Sequence, residues 1–229
     1  MKQILFFLII SATLSCSAKK ENAQLNEDIT NEDSKPVKYD RKIKIDYDLS
    51  QWQEITEDNG VVLDIRYATD NNFTKKQIYP CGRCFLRPEL ASRIIKLQQD
   101  ISRRYGMKLK LFDCYRPRPA QQKLWDIVPN AKYVTPPSKG SMHNRGLAVD
   151  VTLVGKNGQD LDMGTPYDFF GIEAHPTYTN LPDEVLKNRK ILTKMLDIHG
   201  LKGINTEWWH FSLKTVQSPL DDWEWPCNL

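Results

Sequence analysis

The sequence predicts an α+β domain in which a small central antiparallel sheet is flanked by helices. Three observations predict it. Helical stretches alternate loosely with short extended ones along the chain. From Leu147 to Leu153, the residues Leu147, Val149, Val151 and Leu153 share one parity and Ala148, Asp150 and Thr152 the other, which is the period of a strand with one apolar face. The candidate metal ligands His143, Asp150 and His210 fall on two such strands and a loop. With 229 residues and 40% hydrophobic content, the chain can bury one sizeable core and carry a tail besides. The formal charge of +3 is small and its Lys and Arg are scattered, so nucleic acid is not an expected partner.

The start of the chain stands apart from the fold. Lys2 precedes an apolar run from Ile4 to Ile10, then small residues and Cys16, a secretory signal too short to span a membrane. Residues 1–15 are therefore expected to be a signal peptide. Thr13-Leu14-Ser15-Cys16 resembles a loose lipoprotein cleavage box with Cys16 as the lipidated residue, although the large aliphatic residue sits one place closer to the cysteine than usual. An ordinary signal peptide with an incidental cysteine is the alternative. Residues 16–46 are polar and nearly free of aromatic side chains, as expected of a disordered tether reaching on the order of 30 Å. The folded domain is expected over 47–229, exported to the periplasm and touching the membrane through a lipid anchor only.

The remaining cysteines are Cys81, Cys84, Cys114 and Cys227, an even number that favours two disulfides in an exported protein. Their pairing stays open. Cys81-Gly82-Arg83-Cys84 is alternatively half of a structural zinc site, but no second such pair exists.

Pro88 opens a helix to about Arg104, with Leu90, Ile94, Ile95, Leu97 and Ile101 spaced to bury one face. Lys108 to Asp113 reads as a strand. The prolines of Tyr115-Arg116-Pro117-Arg118-Pro119 stop it, making Arg116 a loop-borne charge on a stiff backbone. A short helix over Ala120 to Ile127 and a long loop from Pro129 to Gly140 follow. After the Leu147–Leu153 strand comes a second loop with an Asn157-Gly158 turn, then an aperiodic stretch from Met163 to His175 that contains Asp168. Pro182 to His199 is the best helix of the C-terminal half, with Val185, Leu186, Leu192, Met195 and Leu196 on its buried side and Gly200 as its stop. His199 at its end suits a charge complementing the helix dipole. His175 is expected in the core or behind the site, with no assigned role.

Trp208 to Leu213 reads as the last strand. Two imidazoles and a carboxylate are a common first set of ligands for catalytic zinc, with a further carboxylate as general base. His143, Asp150 and His210 supply the ligands and Glu207 the base. Glu207 and His210 differ by three, so a regular strand would point them to opposite faces. The strand must therefore begin after Glu207 or carry a bulge there.

Three strings carry a family resemblance: Ser141-Met142-His143-Asn144-Arg145-Gly146-Leu147-Ala148-Val149-Asp150, Glu207-Trp208-Trp209-His210-Phe211 and Asp113-Cys114-Tyr115-Arg116-Pro117. With Arg66 to Phe73 and Met163 to Phe169, they resemble the zinc D-alanyl-D-alanine dipeptidases of the vancomycin-resistance type, in the same order over roughly residues 60 to 215. That resemblance implies one zinc per chain held by His143, Asp150 and His210, with Glu207 as catalytic base and Arg116 stabilising the transition state. It also implies Tyr67, Ser141 and Asp168 as substrate-pocket residues, with Asp168 and Tyr67 taking the substrate ammonium. The implied substrate is a small dipeptide of cell-wall peptide turnover, and the implied α+β fold is shared with the hedgehog signalling domain. A related carboxypeptidase or wall-peptide endopeptidase, or a non-catalytic zinc-containing wall-binding module, are the alternatives. Oligomeric state is left open.

Overall fold

A computed structural model describes residues 46–227. The expected signal peptide, Cys16 and the tether up to residue 45 lie outside the described residues.

Among the described residues, ten α-helices and β-strands follow one another: β1 (Gln53–Ile55), β2 (Val62–Leu63), β3 (Cys84–Leu86), α1 (Pro88–Tyr105), β4 (Lys108–Asp113), α2 (Arg118–Ile127), β5 (Ala148–Val154), α3 (Asp183–Ile198), β6 (Lys202–Gly203) and β7 (His210–Ser212). The main sheet has the order β2-β4-β5-β7-β6, and β1 pairs with β3 in a separate two-stranded ribbon. Four strands of the main sheet run antiparallel, as expected, while β2 joins its edge parallel to β4. A two-residue edge strand needs few ladder bonds, and the hydropathy pattern carries no trace of its direction.

α1 begins on Pro88, whose missing N–H costs nothing in a first turn, and ends where Gly106 adopts φ 64°. Leu90, Ala91, Ile94, Leu97 and Ile101 on its inner face are fully buried, while Ile95 stays half-buried. A buried polar residue also lies on that face: Gln98 accepts a 2.7 Å hydrogen bond from Leu109 N and ties the helix to β4. α3 buries Val185, Leu192, Met195 and Leu196 as its spacing requires. At its end, His199 Nε2 lies 2.9 Å from Asp100 of α1, and burial lowers its pKa, so it acts as a link between helices rather than as a charge at the dipole.

β5 is the centre of the sheet, and all seven of its residues are buried. Its alternation correctly marks an apolar face, but the second face is covered as well. The register then aligns the site: Asp113 of β4 lies opposite Asp150 of β5, and Asp150 lies opposite His210 of β7. A register shift in β4 between Leu111 and Asp113 produces the first of these pairings.

Two disulfides join Cys81 to Cys227 and Cys84 to Cys114. The first ties down an irregular C-terminal tail, whose Trp223 stacks on Trp52 and whose Trp225 is buried against Tyr79 and Phe85.

Candidate active site

His143 sits in a 3-10 turn, His143–Arg145, just before β5. Gly146 ends the turn at φ 67°, and a Cβ there would stand 2.5 Å from the Trp52 ring, so this sharp turn needs glycine. His143 Nδ1 donates to the Cys114 carbonyl oxygen at 2.7 Å, which leaves Nε2 facing the site. There Nε2 lies 3.0 Å from His210 Nδ1 and 3.2 Å from Asp150 Oδ1, and His210 Nδ1 lies 3.1 Å from the same oxygen. The second Asp150 oxygen accepts a hydrogen bond from Tyr167 Oη at 3.0 Å, so Oδ1 is the one left for the shared point.

This triangle fits a tetrahedral zinc ion. Bonds of about 2.0–2.1 Å from such an ion put neighbouring ligand atoms about 3.3 Å apart. The charge balance agrees. Burial acts on His143 to lower its pKa, but Asp150 and Asp113 outweigh it and the pKa is raised. Burial would raise the Asp150 carboxyl, yet the two histidines hold it well below the usual carboxylate range. Both shifts mark a point that attracts positive charge.

β7 begins at His210, so Glu207 precedes the strand and is free of its alternation. It lines the same cleft as the triangle. Burial pushes its carboxyl up to about 7, against the opposing pull of His210. A carboxylate poised near neutrality can both take and return a proton.

Arg116 lies on the loop between β4 and α2, as expected, but it is buried rather than solvated. Its Nε and Nη2 donate to Asp113 Oδ2 at 3.0 and 2.6 Å, and Nη1 donates to Gln121 Oε1 at 2.9 Å. These bonds use three of the five guanidinium N–H groups. Nη2 remains 4.0 Å from Asp150 Oδ2, and the guanidinium stands 5.1 Å over the Tyr67 ring.

At the other side of the cleft, Tyr67 Oη lies 3.1 and 3.3 Å from the two oxygens of Asp168. Burial, and then the Asp150 charge, push the Asp168 carboxyl well above its usual range, the state of an acid awaiting a cation. Ser141 lines the cleft too, its N and Oγ bonded to Asn144 Oδ1 at 2.7 and 3.2 Å. The cleft thus gathers every site residue expected from the sequence other than Cys16, in a volume of about 480 Å³. His175, without an assigned role, stands on its wall.

Four residues of the site were not expected. Asp113 is fully buried and accepts from Arg116, from Tyr79 Oη at 2.7 Å and from Cys114 N at 3.0 Å. It shares parity with Leu109 and Leu111, and a carboxylate on an apolar parity is the signal that could have found it. Tyr167 adjoins Asp168 in sequence but gives no sign of reaching Asp150. Asn144 Nδ2 donates to the Arg116 carbonyl at 2.7 Å and joins the two loops, while Gln121 holds Arg116 from α2.

The chain also matches known proteins. A family model described as D-ala-D-ala dipeptidase covers residues 47–224. The D-alanyl-D-alanine dipeptidase of Escherichia coli (strain K12) is 35% identical over 168 residues, spanning 73% of this chain and 86% of that protein. The D-alanyl-D-alanine dipeptidase of Enterococcus faecium is 29% identical over 191 residues, 74% of this chain and 94% of its own length. One from Streptomyces coelicolor is 26% identical over 189 residues, with 73% and 93% covered. A family match over most of the described domain, joined to a cleft of metallopeptidase character, places this chain in the D-Ala-D-Ala dipeptidase family of metallopeptidases.

Proposed function

We propose that this protein hydrolyses free D-alanyl-D-alanine to two D-alanines with one zinc ion held by His143, Asp150 and His210. The observation that carries this reading is the Tyr67–Asp168 pair, a carboxyl in need of a cation in the same cleft as the metal triangle. When bound, zinc lowers the pKa of water toward ~7 and polarises a carbonyl. Glu207 takes the proton of the attacking water and returns it to the leaving amine, a task suited to a pKa of about 7. Arg116 keeps two N–H groups beyond its bonds to Asp113 and Gln121, and these answer the negative charge that develops on the carbonyl oxygen. Asp168 receives the substrate ammonium, helped by Tyr67, and Ser141 orients the peptide backbone.

Two disulfides support an oxidising compartment. With the apolar run before Cys16, they favour an exported, lipid-anchored enzyme that acts on the products of wall-peptide turnover.

The test compares D-Ala-D-Ala with N-acetyl-D-Ala-D-Ala. The acetylated substrate offers a neutral amide where the dipeptide offers an ammonium, and losing the buried ion pair costs ~3–5 kcal/mol, or roughly two to four decades in rate. Efficient cleavage of the free dipeptide alone is expected. Asp168→Asn should weaken its turnover strongly while zinc content holds. Equal cleavage of both substrates would assign the protein to the carboxypeptidases instead.

A further inference from the structure

Among the described residues, six large apolar side chains are exposed, and three of them fall in one short segment: Phe169, Phe170 and Ile172. That segment directly follows Asp168 and lines the same cleft. A clustered exposed apolar surface beside a binding site marks a contact surface.

The rings there form a row. Phe170 stacks on Tyr133 with centroids 4.6 Å apart at 21°, and lies 5.1 Å from Phe73. Phe73 meets Tyr67 edge-on at 6.2 Å, and Tyr67 is the ring whose hydroxyl bonds Asp168. At the outer end, Lys132 Nζ stands 5.3 Å from the Tyr133 ring. The row therefore runs without a break from the Asp168 anchor to Tyr133, beside the exposed Lys132.

In a dipeptide, the first side chain branches from the carbon that carries the ammonium. The second lies beyond the scissile bond. A wall continuous with the ammonium anchor therefore meets the first side chain. A methyl group would leave most of this wall in water, whereas a leucyl or phenyl group would cover it.

We infer that Phe73, Tyr133 and Phe170 form a subsite for the side chain of the substrate's first residue, and that the enzyme favours dipeptides with a large apolar D-residue in that position. The inference rests on the dipeptidase reading and sharpens its substrate class.

The test uses the zinc-loaded full chain. kcat/KM for D-Leu-D-Ala should exceed that for D-Ala-D-Ala by about tenfold, the low end of what an apolar subsite yields for added methylenes. D-Ala-D-Leu should show no such gain. In Phe170→Ala, and separately in Tyr133→Ala, the ratio of D-Leu-D-Ala to D-Ala-D-Ala efficiency should fall about tenfold. A wild-type ratio at or below one, an equal gain for D-Ala-D-Leu, or a ratio that neither substitution moves overturns the subsite while the dipeptidase reading stands. Failure to cleave any free dipeptide overturns both.

Discussion

His143 Nδ1 and the Cys114 carbonyl oxygen are joined by a 2.7 Å hydrogen bond, and Cys114 is itself bonded to Cys84. One disulfide thus stands directly behind a candidate metal ligand. Partners that orient a ligating histidine are worth about 10–100-fold in metal affinity. Cys84→Ala/Cys114→Ala should therefore weaken zinc binding about tenfold and cost about 3–4 kcal/mol of stability. Cys81→Ala/Cys227→Ala opens a separation of 146 residues instead of 30, so it should cost more stability, about 5 kcal/mol, with less effect on zinc. Zinc titration with denaturant unfolding checks both, and equal zinc loss in the two variants would break the link.

Tyr167 and Glu207 should separate affinity from chemistry. Tyr167→Phe removes the bond that turns Asp150 toward the shared point, so zinc affinity should drop about 10–100-fold. Glu207→Ala should retain about one zinc per chain and lose about 10²–10⁴ in turnover. Metal analysis beside kinetics decides the matter. A zinc-free Glu207→Ala protein would make Glu207 a ligand.

Burial raises Glu207 to about 7 from an ordinary 4.5. Between those values the folded state binds the proton more tightly than the unfolded chain, so metal-free stability should fall as pH rises through this window. Glu207→Gln removes the charge. It should be about 1–3 kcal/mol more stable than wild type at pH 8, and nearly equal at pH 4.5. Urea unfolding at the two pH values measures this, and a gain independent of pH would point to packing rather than ionisation.

Asp113 and Arg116 are a buried pair, and breaking it strands a charge. Asp113→Ala alone should cost ~3–5 kcal/mol. Asp113→Leu/Arg116→Met should restore much of that stability but not turnover, because no cation remains for the developing oxyanion. Recovery of activity in the double variant would remove Arg116 from the chemistry.

Much of this site is legible in the order of residues. His143, Asp150, Glu207 and His210 are chemically marked, few in number and set in short strings, and the alternation from Leu147 to Leu153 announces the central strand. The helices are equally plain, because proline starts, glycine stops and apolar spacing are local signals. Asp113 and Tyr167 were missed for the opposite reason. Each acts through a partner far along the chain or across a strand: Asp113 on Tyr79, and Tyr167 on Asp150.

Sequence alone decides the local features here: which residues can ligate, where helices begin and end, and that four cysteines follow Cys16. Only the folded chain decides which cysteines pair, because Cys81–Cys227 spans 146 residues and no local preference selects a partner at that distance. The same holds for Glu207 and His210, whose conflict of faces disappears because β7 starts at His210. It holds also for the row Asp113, Asp150 and His210, which a register shift in β4 brings into line. Register is set by pairing between strands, and pairing is a property of the assembled sheet rather than of any one strand.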